Sequence, residues 1–185
     1  MFRTLAFIAI ALGACAPAPA PSLEGCRLNA THNVTWSNTS AQDVVTARAD
    51  GPTCAQAVVN FTVRNANGDP LWTFASTYYD MTIGGAPPPN TSAPTDAEVG
   101  AFLNGWANVE VTRSSDLPSW SEGAASLSES ASTFSYDTAF DREAYEALRA
   151  RGSPMLCFAA AAEAVRCLVI APLSNAPTEI VAYGP

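Results

Sequence analysis

Lysine is absent from this chain, and histidine occurs once, as His32. Without lysine there is no Ser–Lys dyad and no Schiff-base chemistry. A Ser-His-Asp triad would have to recruit His32, and none of the many serines sits in a Gly-x-Ser-x-Gly elbow. His32 lies in the polar stretch Asn29-Ala30-Thr31-His32-Asn33, which reads as a solvated surface segment rather than a catalytic one. One histidine and no paired Cys-x-x-Cys spacing leave no zinc site. No Asp-x-Asp-x-Asp run suggests a calcium loop, and no glycine-rich loop suggests a phosphate cradle. The sequence therefore indicates no metal and no cofactor. Basic charge is scarce as well. All nine basic residues are arginine, set against 17 acidic residues for a formal charge of −8. Nucleic acid and anionic lipid head groups need a basic footprint and are poor partners, whereas a cationic partner is electrostatically permitted.

Long apolar runs are also missing. The longest near the start, Leu5 to Leu12, follows Arg3 and is far below the roughly 20 residues of a membrane-spanning helix. A basic n-region, a short apolar h-region and small residues before a cleavage point form a secretory signal. Leu12-Gly13-Ala14-Cys15 resembles the lipobox of bacterial lipoprotein precursors. The resemblance covers only these first residues and implies that Cys15 is acylated and becomes the new N-terminus. It implies attachment to a membrane through lipid, and with Ala16 rather than Asp after the cysteine it implies the outer membrane of the cell envelope. Removal of Arg3 leaves eight arginines against 17 acidic residues, a charge of −9. The Ala16–Pro21 repeat of Ala and Pro reads as an extended tether of about 3 Å per residue.

Four cysteines follow: Cys26, Cys54, Cys157 and Cys167. An even number in an exported chain reads as two disulfides. The favoured pairing is Cys26–Cys54 with Cys157–Cys167; the alternatives tie the N-terminal region to the C-terminal hairpin. The second pair rests on hairpin geometry. Folding the apolar runs 154–159 and 165–170 about Ala162 sets Cys157 opposite Cys167, within disulfide reach.

Hydrophobic content of 48% with 14% charged residues suits a folded domain. Strands are expected at Val44–Ala49, Ala57–Arg64, Leu71–Tyr79 and Glu179–Tyr183. Val59, Phe61 and Val63 alternate with Asn60, Thr62 and Arg64, the pattern of a half-buried strand. A capping box at Thr95-Asp96-Ala97-Glu98 starts one helix, and Asp141 caps a second that Gly152 ends. Ser114–Ser135 holds nine serines and few large apolar groups, so it reads as a long surface loop or a poorly ordered excursion. The expected fold is α+β, mostly antiparallel β-sheet with two short helices, stapled by disulfides. Residues 1–14 are the signal, 15–24 the lipidated cysteine and tether, and 25–185 one globular domain. A boundary between two lobes, if there is one, falls near 84–94, around Gly84–Asn90.

Two function classes compete for this domain. The first is a non-enzymatic binding or structural module that presents an acidic, aromatic surface to a protein or a cell-wall glycan, including as one form an inhibitor of a basic envelope hydrolase. Tyr78, Tyr79 and Trp120 are its candidate contact residues. Adjacent tyrosines on a strand face opposite ways, and Trp120 sits among serines with no evident core. The second is a small carboxylate-dependent hydrolase drawing on Glu110, Asp116, Glu122, Asp137, Asp141 or Glu143, which requires two carboxylates in one concavity.

The lipobox generates the first prediction. Cys15→Ala should abolish fatty-acid attachment while leaving the domain able to fold. Metabolic labelling with a lipid probe reads this directly, and undiminished label on the variant would overturn the assignment.

Overall fold

A computed structural model describes residues 25–131 and 134–185. The signal segment, Cys15 and the Ala/Pro tether lie outside these residues. Strands β1 (Cys26–Val34), β2 (Asp43–Gly51), β3 (Val58–Arg64) and β4 (Pro70–Thr77) form an antiparallel meander in that order. The alternation in β3 is realised, with Val59, Phe61 and Val63 fully buried. Register sets Ala30, Ala47, Phe61 and Phe74 in one inward row, and Thr31, Thr46, Thr62 and Thr73 in one outward row. One face is thus packed and the other is polar, as a half-solvated antiparallel sheet requires. The β3–β4 turn is held by Asn65, whose side-chain oxygen accepts the N–H groups of Asn67 and Asp69. Gly68 supplies the positive φ of 87° that this turn needs.

Strand β1 was not expected from its polar residues. It is an edge strand, and only Cys26, Ala30 and Val34 are buried along it. Its connection to β2 is closed by Asp43, whose carboxylate is buried and accepts hydrogen bonds from the backbone N–H groups of Trp36 and Ser37 and from the Ser37 hydroxyl. Three donors offset the desolvation that burying this carboxylate would otherwise cost.

Tyr78 and Tyr79 do not extend β4. Thr77 turns the chain by accepting the Asp80 N–H, and the tyrosines open helix α1 (Tyr78–Ile83), which ends at Gly84 in a left-handed conformation. Helix α2 (Asp96–Ala107) starts at the expected capping box of Thr95 and Glu98 and buries Val99, Leu103, Trp106 and Ala107. The second sheet comprises β5 (Val111–Arg113), β6 (Ser135–Asp137), β7 (Pro154–Ala161), β8 (Ala164–Ile170) and β9 (Pro177–Gly184). It is antiparallel throughout, in the order β5-β7-β8-β9-β6. Helix α3 (Leu127–Ser130) is one turn, and α4 (Arg142–Ala150) carries the expected Asp141 cap. The fold is α+β, mostly strands; of the four α-helices among the described residues, α2 and α4 are the two longer ones and fall where the sequence marks them.

Both favoured disulfides are present. Cys26 joins Cys54, which lies in a 3-10 turn after β2, and Cys157 joins Cys167 directly across the β7–β8 pair. Gly51 allows the chain to pass this turn, since a Cβ there would meet Ala57 Cα at 2.6 Å.

The layers are joined by two cores. The larger holds the inward face of the first sheet, α2, and Leu156, Phe158 and Leu168 of the second sheet. Met81 and Val99 belong to it together, so its packing runs across the 84–94 loop. The smaller core lies on the other face of the second sheet, where Met155, Val169, Ile180 and Val181 meet Tyr145, Leu117 and Leu127. The serine-rich stretch thereby becomes an ordered cover, because Leu117 and Leu127 anchor it. Buried Ser114 ties it to the end of α4, donating to the Leu148 carbonyl and accepting the Ser153 N–H.

Phe61 reaches from the first sheet to the second, stacking on Phe158 at 4.7 Å. Phe61→Ala should therefore destabilise the protein by about 3–5 kcal/mol, read by chemical denaturation. A loss below about 1 kcal/mol would mean that the two sheets do not share a core at this point.

Candidate functional site: a groove on the second sheet

The face of the second sheet that packs under α4 is only partly covered. Register places Ala159, Val165, Tyr183 and Tyr136 in one row across β7, β8, β9 and β6, with Cys157 and Cys167 in the next. Helix α4 and the serine-rich cover lie over Met155 and Val169, farther along the same strands. Toward the β7–β8 turn three concavities adjoin among the described residues: Tyr183 lines all of them, Ala159 and Val165 line two, and Cys157 lines two. Together they form one groove. Phe102, Gly105 and Trp106 of α2 wall it on one side, and Phe134 with Pro185 on the other.

The wall beside α2 is fixed by a single bond. Strand β5 pairs with β7 only from Pro154 to Leu156, which leaves the Ala159 carbonyl free of a sheet partner on that edge. The Trp106 indole donates to it at 2.9 Å. On the opposite side Tyr136 and Tyr183 lie 5.3 Å apart between ring centres, and Phe134 packs on Tyr183 at 5.6 Å. Phe134 is nevertheless 44% exposed, a large apolar side chain facing solvent at the groove's margin.

Among the described residues three charged side chains line the groove: Glu110, Asp116 and Glu163, all acidic and all on its exposed rim. Glu110 and Asp116 share one concavity of about 290 Å³ with Thr112, Tyr136 and Tyr183. Asp116 accepts the Arg113 backbone N–H at 3.0 Å, which closes the short turn after β5. Glu110 and Glu163 flank the Cys157–Ala161 segment, Glu110 beside Cys157 and Glu163 in the turn beyond Ala161. Arg166 points away from the groove, with its guanidinium 5.6 Å over the Phe74 ring of the first sheet.

The other candidate residues lie elsewhere. Tyr78 and Tyr79 are half-buried, and Tyr78 packs edge-on against Phe102 at 5.6 Å. Trp120 is half-buried on the smaller core, 6.0 Å from the Tyr145 ring; its indole donates to the Ala124 carbonyl and its backbone N–H to Glu146. None of the three lines the groove. Glu122, Asp137, Asp141 and Glu143 do not line it either, and Asp141 serves as the α4 cap. His32 is exposed on β1, paired with Val45, and also lies away from it. Among the described residues no three His, Cys, Asp or Glu side chains cluster to hold a metal, and no helix is long and apolar enough to cross a membrane.

Burial raises the Tyr183 phenol above its ordinary range, with Tyr136 adding to the effect. Tyr145 is raised more strongly, again mainly by burial, and its hydroxyl donates to the Pro118 carbonyl at 2.7 Å. Unfolding exposes both phenols, which then ionise near pH 10. Stability should therefore hold up to about pH 10 and fall as the pH rises further, because the unfolded chain then binds fewer protons than the folded one. Denaturation across that range should show a shallower fall for Tyr183→Phe than for the parent. An unchanged slope would contradict the burial of this phenol.

Comparison of the chain with models of known protein families, with characterised proteins and with solved structures finds no match, so the groove is interpreted from its own residues.

Proposed function

We propose that the chain is the precursor of a lipid-anchored lipoprotein of the bacterial cell envelope, and that its folded domain is a non-enzymatic binding module. The lipobox residues Leu12-Gly13-Ala14-Cys15 support the anchor, and Ala16 supports the outer membrane as its location. Two disulfides suit an oxidising compartment outside the cytoplasm. The observation that carries the binding role is the open aromatic groove on the second sheet. A folded domain rarely leaves a concave apolar surface of this kind uncovered without a partner for it. The partner in this reading is a protein or a cell-wall glycan, with a basic envelope hydrolase as one protein that the domain would inhibit. Tyr78, Tyr79 and Trp120 keep a subsidiary contact role, since each already packs against a neighbour within the fold.

A specific observation also favours a second reading. Glu110 and Asp116 line the same concavity, which a carboxylate-dependent hydrolase requires. Against it, both are exposed and Asp116 is engaged in capping its own turn.

Complementation of a deletion strain separates the classes. The binding reading expects His32→Ala to restore the phenotype fully, Asp116→Asn, which removes one of the rim carboxylates, to lower it only partly, and Val165→Asp, which puts a charge on the groove floor, to fail although the protein accumulates normally. A hydrolase using this site should lose about 10²–10⁴-fold in rate with Asp116→Asn alone. Failure of His32→Ala in a folded, lipidated protein would count against both readings as they stand and would point to histidine-dependent catalysis.

A further inference from the structure

We infer that the groove receives an extended basic segment of a partner protein, carrying two cationic side chains four residues apart. This rests on the binding reading above and names the chemistry of the partner.

Charge and spacing carry the inference. Among the described residues every charged side chain lining the groove is acidic, and they stand at its two ends: Glu110 and Asp116 at one, Glu163 at the other. Between them the floor is Cys157, Ala159, Val165 and Tyr183, which offers apolar contact and an aromatic ring. An aromatic face attracts a cation, and the Arg166–Phe74 pair shows this chain already using that contact on the other side of the sheet. The acidic ends are separated by the β7 segment from Cys157 to Ala161, about 13 Å at the usual rise of a strand. A partner chain in the same extended form covers that distance in four residues, and its residues i and i+4 point to the same side. The apolar side chain at i+2 then faces the floor between the two cations. A formal charge of −9 on the chain without its signal segment adds long-range attraction for a basic protein.

The test is calorimetric titration of the purified full-length protein with the blocked peptide Arg-Val-Ala-Val-Arg. Saturable one-to-one binding is expected, weakened at least about tenfold by Glu110→Gln and by Glu163→Gln, and weakened likewise when the second arginine is moved to i+3. Both variants change exposed side chains, so folding is not at stake. Absence of binding overturns the inference, as does binding that neither substitution alters. Equal binding of Glu-Val-Ala-Val-Glu would overturn the cationic assignment and leave the groove as a binding surface. Equally tight binding of spermine would assign the acidic rim to free polyamines instead. Dimerisation of the protein that Val165→Asp abolishes would assign the groove to a second copy. If no peptide binds and Val165→Asp also complements the deletion strain, the binding reading itself falls with the inference.

Discussion

The packing of Phe61 on Phe158 is the contact on which the rest of the architecture depends. The rings lie 4.7 Å apart and nearly parallel, and each is almost wholly buried. Trp106 packs on the same phenylalanine at 5.4 Å and donates its indole proton to the Ala159 carbonyl. Two sheets and one helix are thereby tied at one place, by apolar burial and one directional bond. Aromatic pairs of this kind contribute roughly 0.5–1.5 kcal/mol beyond the area they bury. Their larger effect here is positional. They bring α2 against the free edge of β7, and that edge becomes one wall of the groove.

The groove follows from a mismatch of sizes. Five strands set side by side span about 19 Å at ordinary strand spacing. The helix that should cover them, α4, has only nine residues and is about 13 Å long. The serine-rich cover extends the protected area through Leu117 and Leu127, yet both lie at the Met155 end of the strands. The opposite end keeps a tyrosine row and a cross-strand disulfide beneath an opening whose charged rim residues, among those described, are carboxylates. Strands β5 and β6 are too short to close it, at three residues each.

Local signals carried much of the fold into the sequence. The period-two pattern of β3, the Thr95–Glu98 capping box and the Asp141 cap each depend on residues within one turn or one strand, and each is legible there. The Cys157–Cys167 register was legible too, because a hairpin brings its two arms together symmetrically. Strand β1 was not, since an edge strand with a solvent-facing side needs few apolar residues. Tyr78-Tyr79 read as strand because β-propensity outweighed the Thr77 cap that turns the chain. The serine-rich stretch read as loop because its order comes from Leu117 and Leu127 packed in the smaller core and from Ser114 bonding residues more than 30 positions away. The groove could not be read at all. Its walls come from residues near 102–110, 134–136, 157–165 and 183, and only the pairing order of the second sheet brings them together.

Strand β1 begins at Cys26, and the Cys54 turn, α1 and the tip of the β7–β8 hairpin gather at that same end of the molecule. The disulfide joins the first two, and the Ala162 N–H donates to the Asp80 carbonyl of α1 to join the others. The Glu163 mouth of the groove therefore opens at the end of the domain where β1 begins. Under the proposed anchoring through Cys15, that mouth would lie at the end of the domain nearest the lipid, and a partner would approach it from beside the membrane. Such a geometry selects ligands held near the same surface, whose local concentration is high, over those diffusing in the bulk.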